Sequence, residues 1–392
     1  MKVLLVHSFY QQYGGEDAVV EAELALMRDR GHEVETWFSH NRVMSELSPL
    51  KAAARTIWST ADHDGITQLM QRFKPDVVHV HNTFQSLSPA VIKAASRAGA
   101  AVVQTLHNFR LICPQAMLLR HGRICEDCVG HVPWRGVARA CYRGSVAQSA
   151  ALTAMVMVHR GLGTYQHGVD RFIALSQFSR QKLIEGGLPG ERIVVKPNFF
   201  EWADEPVEEG RQGGVFVGRL SAEKGIEVLL QARQSHGLDG VDVIGHGEAF
   251  QSDVARLFGS HYLGFQPLDS VVKRLRSARF LVLPSICYEN FPRTIVEAFA
   301  CRVPVVASRM GAMAELVKEG ETGLLFDPGS AQDLAQKVAW AHAHPEEMLA
   351  MGREARQVYL TSYRADTNHD MLMSIYDEAI KHRALKGGCI DA

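Results

Sequence analysis

Apolar residues fall along the chain in short blocks separated by longer stretches whose apolar positions recur every three or four residues. Val3 to His7 is the first block and reads as a buried strand; Gly14-Gly15 then makes a turn, and a helix from about Asp17 to Arg30 carries Val20, Leu24 and Met27 on one face before Gly31 closes it. Glu33 to Phe38, Asp76 to His81 and Ala101 to Leu106 read as further strands, with helical stretches at Gly65 to Arg72 and Pro89 to Ala98 between them. Alternating strand and helix implies a parallel, doubly wound sheet. A loop-rich segment from Asn108 to Ser145 interrupts the alternation, which resumes with a strand at Arg171 to Leu175 and a helix at Gln177 to Glu185.

The stretch from Asn198 to Gly214 holds Pro206, glycines and acidic residues without apolar periodicity, and is the expected linker. The pattern then restarts: strand Gly214 to Val217, helix Glu223 to Arg233, strands Val241 to Ile244 and Phe280 to Pro284, helix Arg293 to Cys301, strand Val303 to Ala307. Pro345 to Lys381 reads as helix with a break near Ser362-Tyr363. The expected architecture is α/β, with two Rossmann-like doubly wound domains. Residues 1–200 form the first, with a cysteine-containing insertion at 108–145; residues 201–365 form the second; 366–392 is a helix packing back on the first.

Composition agrees with this and excludes some functions. A length of 392 residues exceeds one ordinary core, and 46% hydrophobic with 22% charged residues is the balance of a globular protein. Forty-two basic against 43 acidic residues give a formal net charge of −1, so no global field recruits nucleic acid or an anionic bilayer. The apolar amino terminus gives way to polar residues too soon for a signal peptide, and Ala150 to Val158 is too short to span a membrane. A cytoplasmic protein is expected, so the seven cysteines are not read as a disulfide framework.

In an open parallel sheet, ligands bind beyond the carboxyl ends of the strands, where helix amino termini offer free N–H groups. Gly14-Gly15 sits at such a place, as a phosphate-approach loop or a plain tight turn. Arg219 and Lys224, in Gly218-Arg219-Leu220-Ser221-Ala222-Glu223-Lys224-Gly225, flank a helix start, where cations oppose the helix dipole. They read as a diphosphate clamp rather than as two solvated charges. In Pro284-Ser285-Ile286-Cys287-Tyr288-Glu289-Asn290-Phe291-Pro292-Arg293-Thr294-Ile295-Val296-Glu297, a loop glutamate precedes a helical one by eight residues. Both carboxylates can accept hydrogen bonds from sugar hydroxyls; the bland alternative has Glu289 capping the helix and Glu297 exposed on it.

The Glu289 to Glu297 spacing, the following Val303-Pro304-Val305-Val306-Ala307-Ser308 with Gly311, Glu315 and Gly320-Glu321-Thr322-Gly323-Leu324-Leu325-Phe326, and Val217-Gly218-Arg219-Leu220 with Lys224-Gly225 resemble family 4 of the retaining GT-B glycosyltransferases. The resemblance implies that Arg219 and Lys224 bind the diphosphate of a UDP- or GDP-sugar, Glu297 the ribose, and Glu289 the donor sugar. It also implies base contacts near Leu263-Gly264-Phe265, a phosphate contact at Gly14-Gly15, and a sugar-facing His107. The expected catalytic set is Arg219, Lys224, Glu289 and His107. The expected donor-binding set is Gly14, Gly15, Arg219, Lys224, Gly264, Phe265, Glu289, Asn290, Phe291, Arg293, Thr294 and Glu297. Asn290-Phe291-Pro292 stands where many relatives carry glycine.

The same resemblance implies transfer, with retention, to a glycan or lipid-linked saccharide in bacterial polysaccharide or glycolipid assembly. No catalytic metal and no nucleic-acid partner are expected, and the chain is placed in the cytoplasm or peripherally on the inner-membrane face. The alternatives are a nucleotide-sugar epimerase and a non-catalytic nucleotide-sugar-binding or assembly-scaffold protein. In the inserted segment, Cys125-Glu126-Asp127-Cys128 is flanked by Cys113 and Cys141 at twelve and thirteen residues, a grouping that suits structural zinc, against an iron–sulfur cluster or four unliganded thiols. Arg120, Arg123, Arg135, Arg139 and Arg143 around it read as solvated surface, or as a site for an anionic acceptor such as a lipid diphosphate.

Overall fold

The computed structural model describes residues 1–202 and 210–388; linker residues 203–209, with Pro206, and residues 389–392, with Cys389, lie outside the described residues. Two compact units divide the chain: Met1–Leu118 with Cys125–Pro197 and the C-terminal stretch from Asn368, and Leu119–Ile124 with the described part of Asn198–Thr367. No helix among the described residues is long and apolar enough to cross a membrane.

The first unit is built on a parallel sheet of β1 (Lys2–Phe9), β2 (Glu33–His40), β3 (Val77–Val80) and β4 (Ala101–Leu106). After a small antiparallel hairpin of β5 (Leu119–Arg120) and β6 (Arg123–Ile124), β7 (Arg171–Ala174) and β8 (Ile193–Val195) complete it. The spatial order is β2-β1-β3-β4-β7-β8, so the chain reverses its direction of travel between β1 and β3. Val3 lies opposite both Val34 and Val77, and the inner strands β3 and β4 are buried at every residue because helices cover both faces.

The C-terminal helix Ala365–Gly388 belongs to this sheet's core. Leu372, Ile375, Tyr376 and Ala379 follow the i, i+3, i+4, i+7 pattern of one helical face and pack with Val3, Val20, Met27, Ala101 and Ile173. At its far end the helix is pinned electrostatically. Buried Asp170 meets Arg383 Nη2 at 2.7 Å, His382 Nδ1 at 3.0 Å and Lys386 Nζ at 3.3 Å, while also accepting from the Val102 N–H at 2.9 Å.

The second unit repeats the principle with β9 (Gly214–Val217), β10 (Val241–Ile244), β11 (Tyr262–Gly264), β12 (Phe280–Leu283), β13 (Val305–Ser308) and β14 (Gly323–Phe326), all parallel. Their order, β11-β10-β9-β12-β13-β14, is that of a dinucleotide-binding sheet, with the switch point between β9 and β12.

Several expectations shift. The helix placed at Glu223 to Arg233 runs instead from Ile226 to Ser235, because Gly225 is left-handed (φ 72°) and a right-handed helix cannot pass through it. The strand expected from Val303 begins at Val305, after Pro304, which has no N–H for the ladder. The inserted segment is divided, its hairpin belonging with the second unit, where the space beside Gly122 is filled by Ile286.

Replacing Asp170 by alanine takes the counter-ion from Arg383, which keeps only Ser96 and the Gly168 carbonyl, and the acceptor from the Val102 N–H, so chemical denaturation is expected to show the first unit destabilised by about 2–4 kcal/mol. Hydrogen exchange should show the C-terminal helix losing protection first.

Candidate functional site

In the second unit, two loops at the switch point are stitched together by main chain. The turn after β9 ends at Gly225, where an added Cβ would sit 1.7 Å from the Pro284 carbonyl oxygen; only glycine permits that approach. The Ile286 N–H then donates to the Glu223 carbonyl at 3.0 Å, locking the loop after β12 to the loop after β9. The neighbouring turn after β10 is equally tight: a Cβ on Gly245 would lie 1.8 Å from the Gly218 carbonyl oxygen.

This backbone arrangement sets the side chains. Lys224 Nζ lies 2.6 Å from Glu289 Oε1, and the Ser285 hydroxyl donates to the same oxygen at 2.8 Å. Burial acts to raise the Glu289 carboxyl, but the adjacent ammonium outweighs it and holds Glu289 below the usual carboxylate range. Burial acts to lower Lys224, and Glu289 more than compensates. Arg219, at the surface, meets Glu223 at 3.1 Å.

Glu289 does not cap the helix Arg293–Ala300, whose cap position is Pro292 without a side-chain bond. Nor is Glu297 exposed: it is 6% accessible, with the Arg293 guanidinium 3.6 Å away, and burial pushes its carboxyl up despite that cation. Both bland alternatives therefore fail on geometry. Thr294 is half-buried in the same first turn. The Phe291 ring is buried against Tyr363 at 5.9 Å and packs the loop. At the β11 end, Gly264 is left-handed (φ 66°) and Phe265 is exposed.

In the first unit, the loops after β1 and β3 meet at the other switch point. Gly14 has an extended backbone (φ −137°), and a Cβ there would meet nothing nearer than Asp17 Oδ2 at 4.0 Å. The fold itself thus makes no demand for glycine at 14; its effect is clearance above a helix amino terminus. Asp17 fixes this loop, accepting from the Gly14 N–H at 2.9 Å and holding His7 Nε2 at 2.9 Å. Beside it, the Tyr10 hydroxyl donates to Glu16 at 2.9 Å, and burial pushes the Glu16 carboxyl up to about 7.

His107, just past β4, is half-buried and joined through Nε2 to His81 Nδ1 at 3.0 Å. His81 Nε2 faces Glu23 Oε2 at 3.3 Å, and Glu23 Oε1 is 2.7 Å from Lys196 Nζ, which also donates to Asn368 Oδ1 at 2.7 Å. None of Glu23, His81, Lys196 or Glu16 stands out in the sequence. Each is a single polar residue in or beside an apolar run, and only the fold shows that they converge.

Glu23, His79 and His81 bring donor atoms within 4.8 Å of one another, the one such trio among the described residues. It is a hydrogen-bonded cluster, since Lys196 already neutralises Glu23 and both His79 nitrogens are engaged, with Thr105 and Tyr376 at 2.8 Å each. The four cysteines do not reach such spacing, whereas tetrahedral Zn–S bonds of about 2.3 Å bring sulfurs closer still. As folded, Cys113 and Cys128 are buried, Cys125 and Cys141 half-exposed, and Arg139, bound to Asp127, places a guanidinium nitrogen 4.0 Å from Cys125 Sγ. Structural zinc stays without support in this arrangement.

Residues 13–201 match the family described as Glycosyltransferase Family 4, and residues 201–358 that described as Glycosyl transferases group 1. An uncharacterized glycosyltransferase of Methanocaldococcus jannaschii is 29% identical over 196 residues, 48% of this chain and 54% of that protein. The chain spans about half the length of the first curated relatives it matches. Sucrose-phosphate synthase from Thermosynechococcus elongatus superposes with a TM-score of 0.70 at 15% identity, covering 96% of this chain and 98% of that one. Anabaena HepE in complex with UDP-glucose superposes with a TM-score of 0.64 at 17% identity, covering 95% and 98%. At these identities the likeness shows the fold, two Rossmann-like domains of GT-B type.

Gly225→Ala should cost about 2 kcal/mol or more, since it combines backbone strain with a collision against Pro284, and urea denaturation measures it. Glu297→Gln should do the reverse. A carboxyl whose folded pKa is raised costs stability above the unfolded pKa, so the variant should melt higher than wild type at pH 7.5. That advantage should vanish as the pH falls below the ordinary carboxylate range, where both side chains are neutral.

Proposed function

The chain belongs to the group 1, family 4 glycosyltransferases, and from that premise we propose that it transfers a sugar, hexosyl in type, from a UDP- or GDP-sugar to a glycan or lipid-linked saccharide, with retention of configuration. The observation that carries the reading is the Lys224–Glu289 pair at the β9/β12 switch point, with Arg219 on the same loop as Lys224 and buried Glu297 on the helix that follows Glu289. One cation pair and two carboxylates there match the two halves of a nucleotide sugar, an anionic diphosphate and hydroxyl-rich rings.

In this mechanism, cleavage of the sugar–phosphate bond leaves charge on the departing diphosphate. Arg219 and Lys224 neutralise it from fixed positions, where preorganised charge is most effective. Glu297, buried beside the Arg293 guanidinium at 3.6 Å, accepts from the ribose hydroxyls. Glu289 holds Lys224 in the resting protein and accepts from a hydroxyl of the donor sugar. Lys224 has three N–H donors, so it can keep Glu289 while taking a phosphate oxygen. His107 is the first unit's candidate sugar contact, and Gly14-Gly15 leaves room for a phosphate at its helix terminus.

For the acceptor, exposed Val132 and Trp134 in the inserted segment, with Val146 just after it, favour a lipid-linked saccharide and work at a membrane surface, in bacterial polysaccharide or glycolipid assembly. The match to the glycosyltransferase families favours transfer over epimerisation.

Incubating the full chain with UDP- and GDP-sugars and a panel of lipid-linked acceptors, with mass-spectrometric detection, should reveal one glycosylated product. Arg219→Ala and Lys224→Ala should each lower turnover by about 10²–10³ while the protein stays folded. Full activity in both variants would remove the leaving-group role.

A further inference from the structure

Within the first unit, four polar side chains form a line that begins in the core and ends at a half-exposed ring. Lys196 and Glu23 are 1% and 2% accessible and form an ion pair at 2.7 Å. The Asn368 amide oxygen, from the C-terminal helix, takes a second Lys196 proton. His81 stands between this pair and His107.

We propose that the buried Lys196–Glu23 ion pair fixes the tautomer of His107 through His81, so that His107 presents Nδ1 as a hydrogen-bond acceptor to a sugar hydroxyl. The carboxylate is anionic because the ammonium holds it so. An anionic oxygen 3.3 Å from His81 Nε2, close though not aligned as a hydrogen bond, favours the proton there, since a lone pair facing a carboxylate is repulsive. A neutral His81 with N–H at Nε2 has a bare Nδ1, which accepts from His107 Nε2 at 3.0 Å. His107 therefore carries its proton at Nε2, and its Nδ1 is left with a lone pair.

The surroundings keep both rings neutral. Burial lowers His81 and His107, and each other's proximity lowers His107 further. His79 and His7, the other two rings nearby, are engaged elsewhere, His79 with Thr105 and Tyr376, and His7 through Nε2 with Asp17. Glu23, His81 and Lys196 are thus positioning residues. The chemical consequence is selective: an acceptor nitrogen receives a hydroxyl proton, which a ring with N–H at Nδ1 cannot do. That consequence rests on the reading that His107 faces the sugar; the tautomer itself does not.

Long-range ¹H–¹⁵N correlation spectra of the full chain labelled in histidine test this without substrate, the His107 signals being assigned by their loss in His107→Gln. Wild type should show a protonated Nε2 and a bare Nδ1 at His107; a protonated Nδ1 or an imidazolium overturns the proposal. In Glu23→Leu/Lys196→Met, the guiding carboxylate is gone and both tautomers should appear. In Glu23→Gln/Lys196→Met, the amide oxygen can still accept from His81, and the wild-type tautomer should return. An unchanged tautomer in the leucine pair also overturns it, and if that pair does not fold, the wild-type spectrum with the glutamine pair decides. Under the transferase reading, the leucine pair should lower kcat/KM about tenfold with nucleotide Kd unchanged. Absence of any transfer in wild type would sink that reading while leaving the spectra to judge the relay.

Discussion

The chemistry of the second unit depends on one close approach of main chain to main chain. Gly225 lies so near the Pro284 carbonyl that no side chain fits between them, and that contact places the end of one loop against the start of the next. Lys224 is carried to Glu289 by it, and the Glu223 carbonyl is carried to the Ile286 N–H. Side-chain flexibility alone would not hold an ammonium 2.6 Å from a carboxylate; the cost in rotamer entropy is offset because the backbone has already fixed both stems.

The first unit solves a related problem differently. Its switch point is organised by side chains, with Asp17 ordering the glycine loop and the Lys196–Glu23 pair ordering the histidines. A buried ion pair is a poor source of net stability, because desolvation consumes most of its attraction. Its presence beneath a half-exposed histidine is better explained by orientation. The C-terminal helix takes part in this, since Asn368 and Tyr376 both lie on it and both touch the network. Packing and site geometry in this unit are therefore one construction.

Much of this was legible in the sequence. Alternation of apolar blocks and amphipathic stretches gave most of the long elements within a few residues, because parallel strands covered on both faces are continuously apolar. The Glu289 to Glu297 spacing picked out two buried carboxylates, one paired with Lys224 and one beside Arg293, on the loop after β12 and the helix that follows it. Short elements were not legible: β8 and β11 have three residues each, too few for periodicity. The helix boundary at Gly225 was missed because a glycine between charged residues looks tolerable until its φ is known. Glu23 and Lys196 were invisible for a deeper reason, being 173 positions apart with nothing local to pair them. The cysteine spacing foretold proximity, since Cys113, Cys125 and Cys141 all act on the Cys128 thiol, but spacing along a chain does not show whether a metal joins them.

A crystal structure of the full chain with the nucleoside diphosphate that binds it most tightly tests the central claim most directly. The diphosphate should lie between Arg219 and Lys224, with a phosphate oxygen about 2.7–2.9 Å from Lys224 Nζ and a ribose hydroxyl on Glu297. A nucleotide bound away from the β9/β12 switch point, with Lys224 still engaged only by Glu289, would contradict it.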